Sequence, residues 1–136
     1  KHEAAEEYGS ILSKAEQDAV EIILEIARTV VGMELTENSE SILNMIRQCF
    51  EKCSNRENVL LIVSPHDYEI VEKNMDKLKG MVEGIQELNF KTDHALGKGN
   101  FVIRTPYGSI EGGADKQLKK IEEAFREVLY AQGEIS

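Results

Sequence analysis

Residues 100–129 read NFVIRTPYGSIEGGADKQLKKIEEAFREVL, a pattern typical of a β-hairpin followed directly by a helix. A short apolar strand at 101–103 leads into Thr105–Gly108, where proline fixes φ at the second turn position and glycine tolerates left-handed geometry at the last. A brief return strand, Ser109–Glu111, ends at Gly112–Gly113. The stretch therefore predicts a hairpin that feeds a docking helix, and it contains no catalytic motif.

The helix after the hairpin is predicted from the spacing of its apolar residues. Asp115 is predicted to stand just ahead of it. The apolar residues recur three and four apart, which is typical of an amphipathic helix with one buried stripe. They are Leu118, Ile121, Ala124, Phe125, Val128 and Leu129.

The middle of the chain predicts a strand followed by a helix. Val59–Val63 is an unbroken β-prone run, which favours a central strand covered on both faces. Ser64–Asp67 is a helix start, with serine as the cap, proline at the first helical position and an acid in the first turn. The helix ends near Gly80, and its inward residues are Ile70, Val71, Met75 and Leu78.

Two more elements complete this part of the chain. Thr36–Ser39 offers several N-caps for a helix that runs through Cys53. Its apolar face is predicted to be core-like and consists of Ile42, Leu43, Met45, Ile46, Cys49, Phe50 and Cys53. A further strand is predicted within residues 85–92, centred on Leu88–Phe90.

Glu3–Val31 predicts one long helix, interrupted only by the tolerable Gly9 and closed by a C-cap at Gly32. It would extend roughly 40 Å at 1.5 Å per residue. One apolar set steps by four and three, close to a heptad seam, and comprises Tyr8, Leu12, Ala15, Ala19, Ile22 and Ile26. A second set begins later and comprises Val20, Ile23, Leu24, Ala27, Val30 and Val31. We interpret the helix as a coiled-coil entry that becomes a core helix; the alternative is a long surface helix.

The predicted element order is α-α-β-α-β-β-β-α. This order indicates an α+β fold in which a long helix leads into a small mixed sheet of three to four strands packed by helices. We expect residues 1–31 to form a stalk or dimerisation segment and residues 32–136 to form the globular domain.

Length, composition and net charge disfavour some classes of function. The 136 residues suffice for one domain, and 41% hydrophobic with 30% charged residues is typical of a globular protein. A net charge of -9 disfavours binding to nucleic acid or anionic membranes. No apolar run approaches the ~20 residues of a membrane span. The start at Lys1, without methionine or a signal peptide, suggests a fragment of a longer protein.

The cysteines and histidines give little indication of a disulfide or a metal site. Cys49 and Cys53 lie four apart in a helical pattern, where a disulfide is awkward, so we expect thiols in a reducing, cytoplasmic setting. A zinc site would need about four ligands, and the histidines are scattered at His2, His66 and His94. We therefore expect structural thiols and no metal.

Three short motifs invite a catalytic or nucleotide-binding interpretation. His66–Asp67 and Asp93–His94 could each be a dyad, but capping explains Asp67 and a turn explains Asp93. Gly97–Gly99 resembles a phosphate loop, yet it opens a strand and not a helix. We expect a tight connection there, with no cofactor and no nucleophile.

The hairpin also carries a family resemblance. The run at 101–111, FVIRTPYGSIE, followed by Asp115, Gln117 and Leu118, resembles the C-terminal signature of the FliH family of flagellar assembly proteins. Residues 25–32, EIARTVVG, and 59–68, VLLIVSPHDY, resemble two further family segments. Glu111–Gly113 and His94 depart from the usual pattern, which affects local loop geometry.

The resemblance implies a non-catalytic adaptor or stator. Family members form homodimers through an elongated helical region and bind the export ATPase at its N-terminal segment. A more N-terminal portion, not in this sequence, contacts the flagellar switch complex. The seam of the long helix would then form the dimer, and Tyr107, Phe125 and Leu129 are the expected ATPase contacts. The location would be cytoplasmic, peripheral to the membrane-embedded export apparatus.

Other protein classes remain as alternatives. Virulence type III secretion stators are related to this family, and the E-type peripheral-stalk component of V/A-type ATPases is similar to it. A small enzyme or ligand-binding domain is a third alternative, and would need Asp93, His94 and Lys98 to converge on a pocket.

Overall fold

The computed structural model describes residues 2–53 and 56–135, with side chains for 4–53 and 56–131. It has the predicted α+β class and element order. The elements are α1 (His2–Glu37), α2 (Glu40–Lys52), β1 (Asn58–Val63), α3 (Tyr68–Lys73), α4 (Met75–Met81), β2 (Glu87–Thr92), β3 (Asn100–Thr105), β4 (Gly108–Gly113) and α5 (Ala114–Ile135).

The four strands form one mixed sheet in the order β2-β1-β3-β4. β1 is an interior strand, as predicted, and pairs parallel with β2 and antiparallel with β3. The parallel pair needs a crossover, which α3 and α4 supply. β3 and β4 form the predicted hairpin, with Phe101 opposite Gly112 and Thr105 opposite Gly108.

The core lies between the sheet and the helices α2, α3 and α4. The apolar face predicted for α2 is confirmed, because its members are buried or packed against the core cluster. The four inward residues predicted for the helical segment after β1 are in the same cluster or against it. The largest fully buried side chains include Phe50, Phe101, Leu43, Ile46 and Leu61.

The helical segment after β1 differs from the prediction in two details. It begins at Tyr68, because residues 65–67 form a turn in which the Asp67 amide donates to the Ser64 carbonyl at 3.0 Å. It is also divided at Asn74, whose side-chain amide donates to the Ile70 carbonyl at 2.7 Å. That bond takes up a carbonyl at the end of α3, and α4 starts at the next residue.

Two predicted helix ends were wrong. Gly32 does not cap α1; it lies inside the helix without the positive φ that a terminal glycine adopts, and α1 continues to Glu37. Asp115 lies within the first turn of α5, not ahead of it. The capping acceptor is Asn100, whose Oδ1 accepts from the Asp115 amide at 2.9 Å.

The chain divides into two compact units. One is Gly32–Gln117, which holds the sheet and its core. The other comprises the described residues up to Val31 and from Leu118 onward. In this helical unit α1 and α5 lie side by side, since Glu21, Leu24, Glu25 and Arg28 line one shallow pocket together with Glu122 and Arg126. The division at residues 31 and 32 into stalk and domain stays a prediction.

Candidate interaction surface

α1 carries two apolar faces. Val20 and Leu24 form the covered face, with exposed fractions of 2% and 3%, and Ala27 and Val31 continue it as half-buried residues. The other face lies roughly 130° around the helix, since each residue advances about 100°. Nothing in the described part of the helical unit covers this second face, because its large residues are exposed.

The predicted seam is the uncovered face. Ile22 and Ile26 are each 58% exposed, and Tyr8 and Leu12 are also exposed. Ala15 and Ala19, which lie between the two large pairs, are exposed as well. The structure therefore places all six seam residues on one solvent-facing stripe of α1, which we call the α1 stripe.

Two members of this surface were predicted on the wrong face. Ile23 and Val30 were grouped with the core-like set, yet both are exposed beside the α1 stripe. Ile11 and Met33 were given no role, although they extend the same surface and are exposed. The sequence does contain a signal for these four residues. They lie next to the seam residues on the helix, and residues that neighbour a heptad seam flank its interface.

The stripe predicted on α5 is only partly buried, which corrects the prediction of one buried stripe. Leu118 is buried and Leu129 is half-buried, whereas Ile121, Phe125 and Val128 are exposed. The exposed three lie about three and four residues apart, so they share one side of the helix. α5 thus has an uncovered apolar side of its own.

Tyr107 is the most exposed large apolar side chain at the tip of the β3–β4 hairpin, at 80%. The Thr105 hydroxyl braces the turn, accepting from the Tyr107 amide at 3.2 Å and donating to the Gly108 carbonyl at 3.3 Å. Beside the tip lies an open pocket of about 210 Å³ lined by Lys52, Cys53, Thr105, Tyr107, Gly108, Ser109 and Ile110. The tip therefore presents an exposed aromatic ring on a hydrogen-bonded turn.

The cysteines fit a structural role. Cys49 and Cys53 are not joined in a disulfide, and Cys53 is buried. Burial and, to a smaller extent, the neighbouring Cys49 raise the pKa of the Cys53 thiol. The raised pKa disfavours the reactive thiolate. Within the described residues no group of three or more histidine, cysteine, aspartate or glutamate side chains could hold a metal ion. The side chain of His2 lies outside that description.

Asp67 forms structural hydrogen bonds and does not form a dyad with His66. Its buried carboxylate accepts hydrogen bonds from the Ser64 hydroxyl at 2.8 Å and from the Gly99 amide at 2.7 Å. His66 is exposed next to it. Both contacts tie the turn after β1 to the loop before β3.

Asp93 and the glycine loop at 97–99 also have structural roles. Asp93 accepts from the Ala95 amide at 2.9 Å, which makes a local turn, and His94 is exposed. Gly99 has a φ of +84°, and a Cβ there would come 2.5 Å from Leu35. This close approach explains the glycine as a tight connection, as predicted.

The described residues thus include an exposed apolar stripe on α1, an exposed apolar side of α5 and an exposed aromatic ring at the hairpin tip. A family model described as flagellar assembly protein FliH matches residues 2–121 of the chain. The chain belongs to the FliH family. The match covers all of α1, the whole sheet unit and the start of α5, so it includes the α1 stripe and the hairpin tip.

Two relatives agree with the FliH assignment. The chain is 22% identical over 120 residues to the probable flagellar assembly protein FliH of Bacillus subtilis, covering 88% of the chain and 57% of the relative. It is 25% identical over 116 residues to the flagellar assembly protein FliH of Borreliella burgdorferi, covering 85% of the chain and 38% of the relative. The chain thus spans little more than half of one FliH relative and less of the other.

The resemblance seen in the hairpin sequence is confirmed by this FliH family match. Among the described residues, none of the helices combines the length and apolarity that a bilayer crossing requires.

Proposed function

We propose that this chain is an adaptor in flagellar assembly that associates with a second copy through α1 and binds the export ATPase, without catalysing a reaction of its own. The observation that carries the proposal is the α1 stripe in a chain of the FliH family. A surface with this many exposed large apolar residues on one helix face marks a protein–protein contact.

Self-association accounts for the stripe because a heptad seam buries its residues against a second helix. Burying a large aliphatic side chain that is now exposed contributes roughly 1–2 kcal/mol. Four large residues per copy, Tyr8, Leu12, Ile22 and Ile26, are available for this. Their combined burial in both copies is large enough to offset the loss of freedom on association, which costs on the order of 4–15 kcal/mol.

The ATPase contact is proposed at Tyr107, Phe125 and Leu129. Tyr107 and Phe125 are exposed aromatic residues, the type that most often anchors an interface. Leu129 is half-buried next to the exposed side of α5. The partner segment would be the N-terminal segment of the export ATPase.

The proposed location is the cytoplasmic face of the export apparatus, where the ATPase works. A contact with the flagellar switch complex would use a more N-terminal region than this chain contains. Neither nucleic acid nor membrane insertion belongs to the proposal.

Capture of the ATPase fragment tests the partner. Immobilised chain is incubated with a purified fragment carrying the N-terminal segment of the cognate flagellar export ATPase, and bound fragment is quantified by titration. We expect saturable binding that weakens at least tenfold in Tyr107→Ser, because a truncated aromatic anchor costs about 2 kcal/mol or more.

Tyr130→Ser is the matched control, because Tyr130 is a similarly exposed tyrosine that was not assigned to the contact. It should bind like the unsubstituted chain. A folded chain that captures none of the fragment would contradict the ATPase-binding proposal, and equal losses in both variants would remove Tyr107 from the contact.

A further inference from the structure

The outer edge of β4 carries main-chain groups that no other strand pairs. β4 is the last strand in the sheet order β2-β1-β3-β4, so one of its two edges lacks a neighbouring strand. The two-residue turn makes Thr105 and Gly108 the first hydrogen-bonded pair of the hairpin, and such pairs alternate along antiparallel strands. The main chain of Ile110 therefore bonds to β3, whereas the amides and carbonyls of Ser109 and Glu111 point away from it.

This part of the edge is open to solvent. Ser109 and Glu111 are exposed, and Ile110 between them is half-buried. In the part of the chain that the structure describes, neither the outward amides nor the outward carbonyls of Ser109 and Glu111 have a hydrogen-bond partner. The opening ends at Gly112 and Gly113, which are buried. Residues 108–111 thus form a short stretch of edge that can accept another strand.

The open edge has a charge on each face of the sheet. Glu111 and Ile110 point to opposite faces, because successive side chains of a strand alternate. On the Ile110 side, Ile110 and Ser109 line the open pocket beside the hairpin tip together with Lys52 from the end of α2. Among the described residues, neither Glu111 nor Lys52 forms an ion pair. A strand added to β4 would therefore meet a carboxylate on one face and an ammonium group on the other.

We propose that β4 binds an extended segment of a partner protein by antiparallel strand addition, and that this segment carries a basic residue directly followed by an acidic one. The main chain of an extended peptide satisfies the outward groups of Ser109 and Glu111, and antiparallel pairing is slightly more stable than parallel pairing. The basic residue then lies opposite Glu111. The acidic residue lies opposite Ile110, on the side of the pocket that holds Lys52.

The charges specify the segment because opposite charges facing each other across two strands stabilise the pair and like charges destabilise it. The reverse order, acidic then basic, would place a carboxylate opposite Glu111 and an ammonium group beside Lys52. The site is separate from the α1 stripe, so the inference does not depend on self-association. It does not depend on the ATPase contact either, because the probes below are tested without the ATPase.

Nuclear magnetic resonance with two short peptides tests the proposal. The first probe is the capped pentapeptide Thr-Lys-Glu-Thr-Val, and the second is Thr-Glu-Lys-Thr-Val, which has the same composition and the same net charge of zero. Isotope-labelled chain is titrated with each probe while its backbone amide signals are followed. We expect the first probe to give saturable shifts of the Ser109 and Glu111 amides and the second to bind about threefold or more weakly.

Amides at the opposite edge of the sheet are the internal control. The main chains of Leu88 and Phe90 face outward on β2, because the amide of Glu87 bonds to the preceding strand and the pairing alternates. Their signals should stay unchanged. Shifts of equal size at both edges would show unspecific association and overturn the proposal.

Ser109→Pro removes one outward amide and leaves the hydrogen bonds between β3 and β4 intact, since proline is tolerated on edge strands. We expect it to weaken binding of the first probe by about fivefold or more, because it removes a hydrogen bond. Ser109→Ala is the matched control: it also lacks the hydroxyl but keeps the amide, and it should bind like the unsubstituted chain. Circular dichroism checks that both variants are folded.

A charge exchange tests the proposal independently of the proline variant. The double variant Lys52→Glu with Glu111→Lys should prefer the second probe by about the same factor as the unsubstituted chain prefers the first. Absence of shifts at Ser109 and Glu111 up to the solubility limit of the first probe, or equal affinity of the unsubstituted chain for both probes, would overturn the proposal. Slow hydrogen exchange at these two amides in the chain alone would also overturn it, because the edge would already be covered.

Discussion

At the residue scale, Gly112 shows how closely the hairpin packs on α2. It lies opposite Phe101 in the β3–β4 pair, and the Phe101 ring occupies the space beside its Cα. A Cβ at this position would come 2.7 Å from the ring and 2.8 Å from Cys49 Sγ. The Phe101 ring is fully buried in the core, and Cys49 packs against the same core cluster, so neither has free space to move into.

We therefore expect Gly112→Ala to destabilise the sheet unit by about 1–3 kcal/mol, the usual cost of overpacking a close-packed core. Urea unfolding followed by circular dichroism measures this change. Gly80→Ala is the control, because its Cβ would meet nothing within 4 Å. If Gly112→Ala is as stable as the Gly80 variant, the packing around Phe101 is looser than described.

At the element scale, one aspartate joins two connections. Asp67 lies in the turn that enters α3, and its carboxylate reaches the Gly99 amide before β3. The same loop receives Leu35 from the end of α1 and, through the Gly99 carbonyl, the Ala114 amide at the start of α5 at 3.0 Å. The loop thus positions four elements of the sheet unit.

Asp67→Ala should cost about 2–3 kcal/mol of unfolding free energy, because it removes two buried hydrogen bonds to a carboxylate and leaves the Gly99 amide unpaired. Asp93→Ala is the comparison, since its one bond lies in an exposed turn, and it should cost less than about 1 kcal/mol. Equal costs in a denaturant titration would show that the Asp67 contacts do not hold the loop.

The sequence predicted the elements well where their signals are local. Apolar periodicity, β-prone runs and the Pro-Tyr-Gly turn are properties of a few neighbouring residues, so α2, β1 and the hairpin were all predicted from them. The break at Asn74 and the cap from Asn100 were missed for the same reason. One depends on how a side chain turns back on its own helix, and the other on a residue fifteen positions away.

The exposed apolar surface of α1 and α5 was predicted only in part. The heptad spacing identified the α1 stripe from Tyr8 to Ile26, because a seam is a local pattern. Periodicity did not show which apolar face of α1 another element covers, so Ile23 and Val30 were assigned to the core. For the same reason the spacing predicted one buried stripe on α5, although Ile121, Phe125 and Val128 are exposed. Burial depends on the neighbouring element, and spacing along one helix does not contain that information.

At the scale of the whole molecule, the sheet unit has its own core, whereas the helical unit leaves apolar faces of α1 and α5 uncovered. A second copy of the chain on the α1 stripe would cover the larger of these faces. We therefore propose that the chain is a dimer held by that stripe.

Size-exclusion chromatography with light scattering measures whether the chain is a dimer in solution. We predict a mass twice the 15.3 kDa of one chain, and a monomer for Ile22→Asp, because a carboxylate in the seam would be buried without a partner. Gln17→Asp, on the far side of α1, should remain a dimer. An unsubstituted chain that is monomeric up to its solubility limit, or an Ile22→Asp variant that stays dimeric, would contradict the account.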